Sequence, residues 1–514
     1  MRIIPLYLAL LIYTLSMSQA ANHSTVSGVE WKSKFPHQVV YQIFSRSFAD
    51  GNGDGIGDLQ GVKNKLPYLK ELGIGAIWLT PIFESPTYHK YDIINYYQID
   101  PECGTKEDLK QLVNEAHIMG IKIILDFVPN HTSTQHEWFK EAVKNNPTYK
   151  NYYSWSSDTS VWHKEPEHWH WVDDQTKGNE KYYGYFWRGM PDLNYDNPKV
   201  REEIIKAAQF WISECDIDGY RLDAASHVYP YADRKKNYAW WTEFSNAMRV
   251  QKPDFYIVGE MWGGDTLIAP YLKAGMDAGF NFDLWFNIKS SIAKSNDDVT
   301  TKLLATYNRY YNNRATFCDA TLLSNHDNPR IMDEVQGDTD KAKLAAAILF
   351  TLPYTPYVYY GDELGMFGPK PDEHIREPFL WDATDEAKCN WEPNFHNAET
   401  PTLSSQKSNQ SSMYNTYQSL IKFRNQDEVL SDGNYECTSL HKDGLMIYVR
   451  SKNAKNYLIV HNLQDSSTQL KLNELPHSRE FKIVYSTGGR ILQPADMLEL
   501  KPYSSVVISF VKLP

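Results

Sequence analysis

Eight short runs rich in β-branched and aromatic residues recur along this chain, and each is followed by a polar tip and then a helical pattern. The runs begin at Val39, Ala76, Lys122, Gly219, Tyr256, Phe280, Thr321 and Tyr357. They are nearly continuous in apolar residues, as expected of parallel strands that are buried on both faces. Eight strands that alternate with helices predict an α/β fold, a (β/α)8 TIM barrel.

Two further units are expected besides the barrel. About ninety residues rich in aromatic residues and histidine separate the third run from the fourth. A structureless loop of that length is improbable in a compact domain, so this segment predicts an inserted lobe. The last part of the chain alternates like hairpins and predicts a C-terminal antiparallel β-sandwich. The expected boundaries are 21–129 and 192–425 for the barrel, 130–191 for the lobe and 426–514 for the C-terminal domain.

The N-terminus predicts export of the chain. Arg2 precedes an apolar run from Ile3 to Leu15, and small residues follow up to Ala20, which is typical of a secretory signal peptide over residues 1–20. We therefore expect a secreted protein with no stable membrane insertion. A formal charge of -12 argues against nucleic acid and anionic membranes as partners.

The five cysteines do not form a recognisable motif. They are widely spaced, so they suggest neither a metal knuckle nor a dense disulfide framework. One or two bridges are compatible with the count, and one thiol must then stay free. The five are Cys103, Cys215, Cys318, Cys389 and Cys437.

Arg221 and Asp223 stand two residues apart at the end of a run that should be a buried strand. Residues i and i+2 of a strand point the same way, so the two side chains can pair. The pair could be a structural salt bridge or part of an active site, and in such barrels the active site forms at the carboxyl ends of the strands. Other polar residues at the predicted strand ends favour the active site, and they are Asp126, Asn130, His131, Glu260, His326 and Asp327.

Several segments, in this order, resemble the α-amylase family of glycoside hydrolases: "GIGAIWLTPI", "DFVPNHTS", "MPDLNYDNP", "GYRLDAASH", "IVGEMW" and "LLSNHDNPR". Within that family the likeness is to α-glucosidases, most closely the secreted maltase and sucrase type of insects. It covers roughly residues 30–385. The resemblance implies a retaining, exo-acting α-glucosidase that releases terminal α-1,4-linked glucose from maltose, short malto-oligosaccharides and sucrose.

The resemblance also implies catalytic roles. Asp223 would be the nucleophile, Glu260 the general acid and base, and Asp327 the carboxylate that holds sugar hydroxyls in the transition state. His131 and His326 would be further donors to that sugar ring. Arg221 would keep Asp223 ionised and fix its orientation.

Two more residues match a pair that closes over the non-reducing end of the sugar in α-glucosidases, namely Asp92 and Arg376. An ordinary loop salt bridge is the alternative. The sequence departs from the family at Lys90, where a glycine is usual, and at Asn95, where an aspartate is usual.

The loop "DGNGDGIGD" is a candidate calcium site. Oxygen donors at alternate positions suit calcium, although Gly61 occupies the place where an EF-hand needs glutamate. By resemblance this would be a single structural Ca²⁺ site, and the alternative is a metal-free turn. The donors would be Asp50, Asn52, Asp54, the carbonyl of Ile56, and Asp58.

Glycosylation acceptor patterns occur at Asn22 and Asn409. Asn130 fits the pattern as well, but a glycan there would obstruct the pocket.

Two other functions remain as alternatives. The same covalent intermediate could pass to a sugar acceptor, as in a glucosyl transferase or a sucrose isomerase. A non-catalytic transporter heavy chain shares the fold, but such chains lack the catalytic residues that this sequence retains.

Overall fold

The computed structural model describes residues 38–173, 178–314, 317, 319–493 and 496–513. The predicted signal peptide, Asn22 and Cys318 lie outside the described residues, and what the sequence predicts for them stays a prediction.

The predicted eight-stranded parallel barrel is confirmed. The strands are β1 Val39–Ile43, β2 Ile74–Leu79, β3 Lys122–Phe127, β4 Gly219–Leu222, β5 Tyr256–Gly259, β6 Ala278–Gly279, β7 Ala320–Leu322 and β8 Thr355–Tyr359. Neighbouring strands pair in the order β6-β5-β4-β3-β2-β1-β8-β7, and a parallel bridge between Phe280 and Ala320 joins the two ends.

The expected sixth strand was placed wrongly. Residues Phe282–Lys294 form a helix, and the strand is the preceding pair Ala278–Gly279. The Asn281 side chain caps the helix by accepting the Leu284 backbone N–H. A short apolar run does not by itself distinguish a strand from the first turns of a buried helix.

Alternating side chains of the strands form two apolar layers. Val40, Trp78, Ile124 and Val258 belong to the cluster inside the barrel. Side chains of the opposite parity pack outward against the helices, which explains the continuous apolar runs. The helices of five or more residues are Leu59–Asn64, Leu66–Leu72, Lys106–Ile118, Glu137–Val143, Pro198–Cys215, Arg234–Gln251, Asp265–Lys273, Phe282–Lys294, Thr300–Asn313, Thr339–Thr351, Leu403–Ser408, Met413–Gln426 and Glu428–Asp432.

An inserted lobe follows β3, as the sequence predicts. It contains the helix Glu137–Val143 and a small antiparallel sheet of Trp155–Ser156, Trp169–His170 and Lys181–Tyr183. An isolated bridge between His131 and Asp192 joins the chain where it enters and leaves the lobe. A hairpin of Phe83–Glu84 and Asn95–Ile99 also rises from the same end of the barrel, after β2.

The C-terminal domain is antiparallel, as predicted. It has one sheet of five strands and one of three, with a separate apolar core. The strands are Asn434–Cys437, Leu445–Lys452, Lys455–Asn462, Thr468–Lys471, Ser478–Ser486, Gly489–Leu492, Met497–Leu500 and Ser505–Lys512.

None of the helices in the described residues has the length and apolar character needed to cross a bilayer. Cys103, Cys215, Cys389 and Cys437 are free thiols in the structure.

Candidate active site

The polar residues predicted at the strand ends lie at one end of the barrel. Asp223 directly follows β4 and Glu260 directly follows β5. Asp126, on β3, is the register partner of Arg221 on β4, so these two side chains belong to the same layer of the interior. Parallel strands end at a common rim, which is why residues distant in sequence meet here.

One buried guanidinium binds three carboxylates. Arg221 is 1% exposed, and its Nη1 donates to Asp126 Oδ1 at 2.8 Å and to Asp223 Oδ1 at 2.9 Å. Its Nη2 lies 2.8 Å from Glu260 Oε2. Charge-assisted hydrogen bonds of this kind offset the cost of burying the ions and fix the carboxylate positions. The pairing of Arg221 with Asp223 expected from the sequence is therefore present, within a larger cluster.

Three carboxylates around one cation cannot all ionise easily. Burial raises the pKa of Asp223 to about 6, against the opposing charge of Arg221. Burial also raises the pKa of Glu260, and the Asp223 charge adds to this shift. Burial likewise raises the pKa of Asp126 to about 8. The cluster thus favours retention of a proton near neutral pH, which a general acid requires.

Asp327 has the opposite electrostatic environment. Its carboxylate lies 3.0 Å from His326 Nε2 and 3.0 Å from Arg376 Nη2. Burial alone would raise the pKa of Asp327, but the charges of His326, Arg376 and Arg221 outweigh burial and lower it below its usual range. Asp327 is therefore ionised near neutral pH.

Tyr91 connects the two groups of charges. Its hydroxyl donates to Asp126 Oδ2 at 3.0 Å and lies 2.5 Å from His326 Nε2. The backbone carbonyl of Tyr91 is 3.1 Å from His131 Nε2. The side chain of Gln42 holds the other nitrogen of His326, Nδ1, at 2.7 Å.

The structure does not join Asp92 to Arg376. Asp92 accepts hydrogen bonds from the hydroxyls of Ser85, at 2.7 Å, and of Thr87. Besides Asp327, Arg376 pairs with Asp372 at 3.0 Å. Among the described residues, no ion pair links Asp92 with Arg376, and their proposed closure over a sugar stays a prediction.

A cavity of about 450 Å³ opens above these side chains. Asp223, Glu260 and Asp327 line it, whereas Arg221 and His326 lie beneath and support them. The inserted lobe contributes one wall with Phe186, Trp187 and Met190, and the loop after β8 contributes Lys370, Asp372 and Arg376. A few polar groups that converge in a partly aromatic cleft are typical of a small-molecule site.

Several cavity residues were not predicted from the sequence. Three of them contact a predicted site residue, namely Tyr91, Trp262 and Asp372. Trp262 Nε1 donates to Glu260 Oε1 at 3.2 Å. Each stands within four positions of a predicted residue, so the sequence neighbours of Asp92, Glu260 and Arg376 were the available signal.

The candidate calcium loop is folded by its own carboxylates. Asp50 Oδ1 accepts the backbone N–H of Gly53 at 2.7 Å, and Asp58 Oδ1 accepts that of Gly61 at 2.7 Å. Oxygen donors fit the chemistry of calcium. Within the described parts of the chain, however, no three His, Cys, Asp or Glu side chains are grouped so that they could hold a metal ion. The fit of calcium rests on donor chemistry, and the ion stays a prediction.

The barrel, its lobe and a rim of carboxylates around a sugar-sized cavity define a class of carbohydrate-active barrel enzymes. Comparison with known proteins agrees. Residues 42–433 match the model of the alpha amylase catalytic domain, and residues 445–507 match that of the alpha-amylase SusG C-terminal domain. The chain belongs to the α-amylase family of glycoside hydrolases.

Individual relatives span nearly the whole chain. Alpha-amylase 3 of Dictyoglomus thermophilum is 39% identical over 487 residues, which cover 92% of this chain and 93% of that relative. The oligo-1,6-glucosidase of Heyndrickxia coagulans is 32% identical and covers 85% of this chain and 93% of its own length. The crystal structure of an alpha-amylase from H. orenii superposes with a TM-score of 0.84 at 36% identity, over 92% of this chain and 99% of that one.

Proposed function

We propose that this enzyme is a retaining hydrolase of α-1,4-linked glucosides that acts on maltose and short malto-oligosaccharides. The observation that carries the proposal is the placement of Asp223 and Glu260 on neighbouring nitrogens of one buried guanidinium, at the floor of the cavity. Retaining glycosidases hold their two carboxyl groups about 5–5.5 Å apart, whereas inverting enzymes need a wider gap for water. A shared guanidinium favours the closer spacing.

In the first step the Asp223 carboxylate attacks the anomeric carbon while Glu260 donates its proton to the leaving oxygen. The C–O bond to the leaving sugar breaks, and a covalent bond to Asp223 forms. In the second step ionised Glu260 takes a proton from water, whose oxygen attacks the same carbon and releases Asp223. Asp327, which is held ionised by His326 and Arg376, stabilises the positive charge that develops on the sugar ring.

We further propose that cleavage occurs at the non-reducing end, one glucose at a time, and that sucrose is also a substrate, as in the insect maltase and sucrase type. The cavity volume of about 450 Å³ supports short substrates. Internal cleavage is the second candidate, because the named alpha-amylases are close in sequence and structure and because Asp92 does not pair with Arg376. Transfer of glucose to a sugar acceptor is a third outcome of the same intermediate.

Product analysis decides among these outcomes. Maltoheptaose that is labelled at its reducing end should give unlabelled glucose and labelled maltohexaose in the first time points. A spread of labelled short fragments would overturn exo cleavage and leave retaining hydrolysis intact. Concentrated sucrose should yield glucose and fructose in equal amounts, and a new disaccharide as the main product would favour transfer. An absence of turnover on every α-glucoside by folded protein would overturn the enzyme proposal.

The pH dependence of kcat/KM follows from the carboxylate cluster. Asp223 must be ionised to attack, so lowering the pH through its pKa of about 6 should remove activity. Glu260 must be protonated, so raising the pH through its elevated pKa should remove activity as well. We expect a bell-shaped profile of kcat/KM against pH whose acid limb lies near pH 6. The two apparent pKa values of this profile describe the carboxylate cluster and not single residues. An acid limb near pH 4, the range of an unburied aspartate, would contradict this.

Linkage preference should depend on Ala224. Ala224 directly follows the nucleophile and lines the cavity. The resemblance to the family implies that valine at this place goes with a preference for α-1,6 links and a smaller residue with α-1,4 links. We expect kcat/KM for maltose to exceed that for isomaltose by at least about tenfold. Ala224 has a left-handed backbone, with φ of 46°, and its N–H lies 3.3 Å from Glu260 Oε2. Ala224→Val should narrow the preference, because a larger side chain beside the nucleophile contacts the leaving sugar. Valine is also strained in the left-handed conformation, so the variant should lose stability as well.

Ala224→Gly is the matched control for backbone strain. Glycine adopts the left-handed conformation freely, so this variant should keep the preference for maltose. Equal kcat/KM on the two disaccharides in the unmutated enzyme would show that position 224 does not set the linkage.

The calcium proposal has a thermal test. An ion that binds only the folded chain raises its stability, so chelation should lower the melting temperature and added Ca²⁺ should restore it. Asp54→Ala should abolish the response, because Asp54 is a proposed donor whose Oδ1 otherwise accepts only the Ile56 N–H among the hydrogen bonds of this loop. A melting temperature that chelation leaves unchanged would contradict the site.

Secretion of the chain likewise stays a prediction.

A further inference from the structure

A short segment of the hairpin after β2 separates the active-site cavity from a second cavity. We call this segment, residues 85–91, the wall segment. His89 and Tyr91 line the active-site cavity, whereas Tyr88 and Lys90 line the second cavity, of about 310 Å³. The second cavity is open space behind the wall segment, so close packing does not by itself hold the segment against the active site.

Two side chains of the wall segment contact the catalytic groups. The Tyr91 hydroxyl donates to Asp126 Oδ2 and lies beside His326 Nε2, and the rings of Tyr91 and His326 stack with centroids 5.4 Å apart. Arg376 Nη1 donates to the Tyr88 hydroxyl at 2.8 Å. The position of the wall segment therefore decides where these groups meet a bound sugar.

Lys90 anchors the wall segment from behind. Its side chain is buried, and its Nζ lies 3.0 Å from Asp100 Oδ2 and 2.9 Å from Glu102 Oε2. Asp100 also accepts the backbone N–H of Ser85 at 3.1 Å, and Glu102 also pairs with Arg46. Burial would lower the pKa of Lys90, but the hydrogen bonds to Glu102 and Asp100 outweigh burial and raise it. The ammonium is therefore charged, and it ties the wall segment to the end of the hairpin.

The backbone at Lys90 is unfavourable for a residue with a side chain. Its φ is 63°, in the left-handed region, where L residues are strained and glycine is not. Glycine is also the residue that the family usually carries at this place. A lysine here costs conformational energy that a glycine would not, and the buried ion pairs with Asp100 and Glu102 offset that cost.

We infer that Lys90 is a positioning residue whose ammonium holds the wall segment in the arrangement that receives a glucosyl ring. Lys90 does not line the active-site cavity, so it acts through Tyr91 and Tyr88. This inference rests on the proposed function, because that function places the glucosyl ring between Asp223 and Asp327. Without the ammonium the wall segment can withdraw toward the second cavity, and only a fraction of the enzyme is then ready to bind. The apparent dissociation constant rises by the inverse of that fraction.

The test separates KM from kcat on maltose. Lys90→Met keeps the length of the side chain and removes its charge, so it should raise KM at least about fivefold. The value of kcat should stay within about twofold of that of the unmutated enzyme, because saturating maltose selects the competent arrangement. A variant that merely folded poorly would instead contain less active enzyme, which lowers the apparent kcat and leaves KM unchanged.

Two further variants separate charge from backbone strain. Lys90→Gly relieves the left-handed backbone but lacks the ammonium, so it should raise KM as Lys90→Met does. Lys90→Arg keeps a cation that can bind both carboxylates, so its KM should stay near that of the unmutated enzyme. Lys106→Met is the control, because it removes a comparably short but exposed pair with Glu214 and should change neither KM nor kcat.

Three results would overturn the inference. KM could be unchanged in both Lys90→Met and Lys90→Gly, or Lys90→Arg could raise KM as much as Lys90→Met does. Alternatively, Lys90→Met and Lys90→Gly could lose kcat and melting temperature together at unchanged KM, which would show that Lys90 only supports folding. Failure of the proposed function is distinguishable, because the unmutated enzyme would then not turn over maltose, and the inference would fall with it.

Discussion

Asp223→Asn should lose more than about 10⁴-fold in kcat on maltose, because it removes the nucleophile and with it the covalent route. Glu260→Gln should lose about 10²-fold to 10⁴-fold, the usual contribution of general acid and base catalysis. Both substitutions are isosteric, and the Asp223 and Glu260 side chains are anchored on Arg221, so the fold should persist. Steady-state rates and a thermal melt measure the two effects.

The leaving group separates the two roles. The leaving group of a nitrophenyl α-glucoside is a stable phenolate that needs no proton. Glu260→Gln should therefore regain activity in the first step of the reaction with that substrate. Asp223→Asn should remain inactive on both substrates. Asp319→Asn is the control, since Asp319 is a buried carboxylate next to the opposite end of β7 and should tolerate the change without loss of rate. Turnover of maltose within tenfold of the unmutated enzyme in either catalytic variant would refute the assignment.

Arg221→Met should lower both stability and activity strongly. It leaves Asp126, Asp223 and Glu260 buried without their shared cation. Removal of one partner from a buried ion cluster typically costs about 3–5 kcal/mol of unfolding free energy. Denaturant unfolding at pH 7 measures this loss.

The loss should depend on pH in a definite direction. Without Arg221 the folded state holds carboxyl groups whose pKa values are raised further above those of the unfolded chain, so the folded state binds more protons and the variant regains stability as the pH falls. The deficit relative to the unmutated enzyme should therefore be smaller at pH 5 than at pH 7. Arg309→Met, which breaks the partly exposed pair with Asp265, is the control and should cost no more than about 1 kcal/mol. An equal, pH-independent loss in both variants would contradict the shared-cation role of Arg221.

Much of the fold could be predicted from local sequence. Apolar continuity over four to six residues located seven of the eight barrel strands, because strands buried on both faces need no partner to reveal their pattern. The sixth strand was placed wrongly, from Phe280 onward, because a helix begins at Phe282. The strand itself is identified only by the pairing of Ala278 with Val258. The rule that barrel sites form at strand ends then brought Asp223, Glu260 and Asp327 to one rim.

The sequence by itself determined the barrel, its inserted lobe and the residue types at the rim, because these depend on periodicity and on order along the chain. Only the tertiary structure decided which charged side chains pair with each other. The spacing of Arg221 and Asp223 indicated one pair, yet the guanidinium serves three carboxylates from three strands. The resemblance to the family indicated Asp92 and Arg376 as a second pair, yet in the structure Arg376 binds Asp327 and Asp372. The interaction energy of two charges depends on the distance between them, and it is large in a folded interior. Several charged side chains lie within reach of one another there. Their separation along the sequence does not give these distances, so only the tertiary structure identifies the pairs.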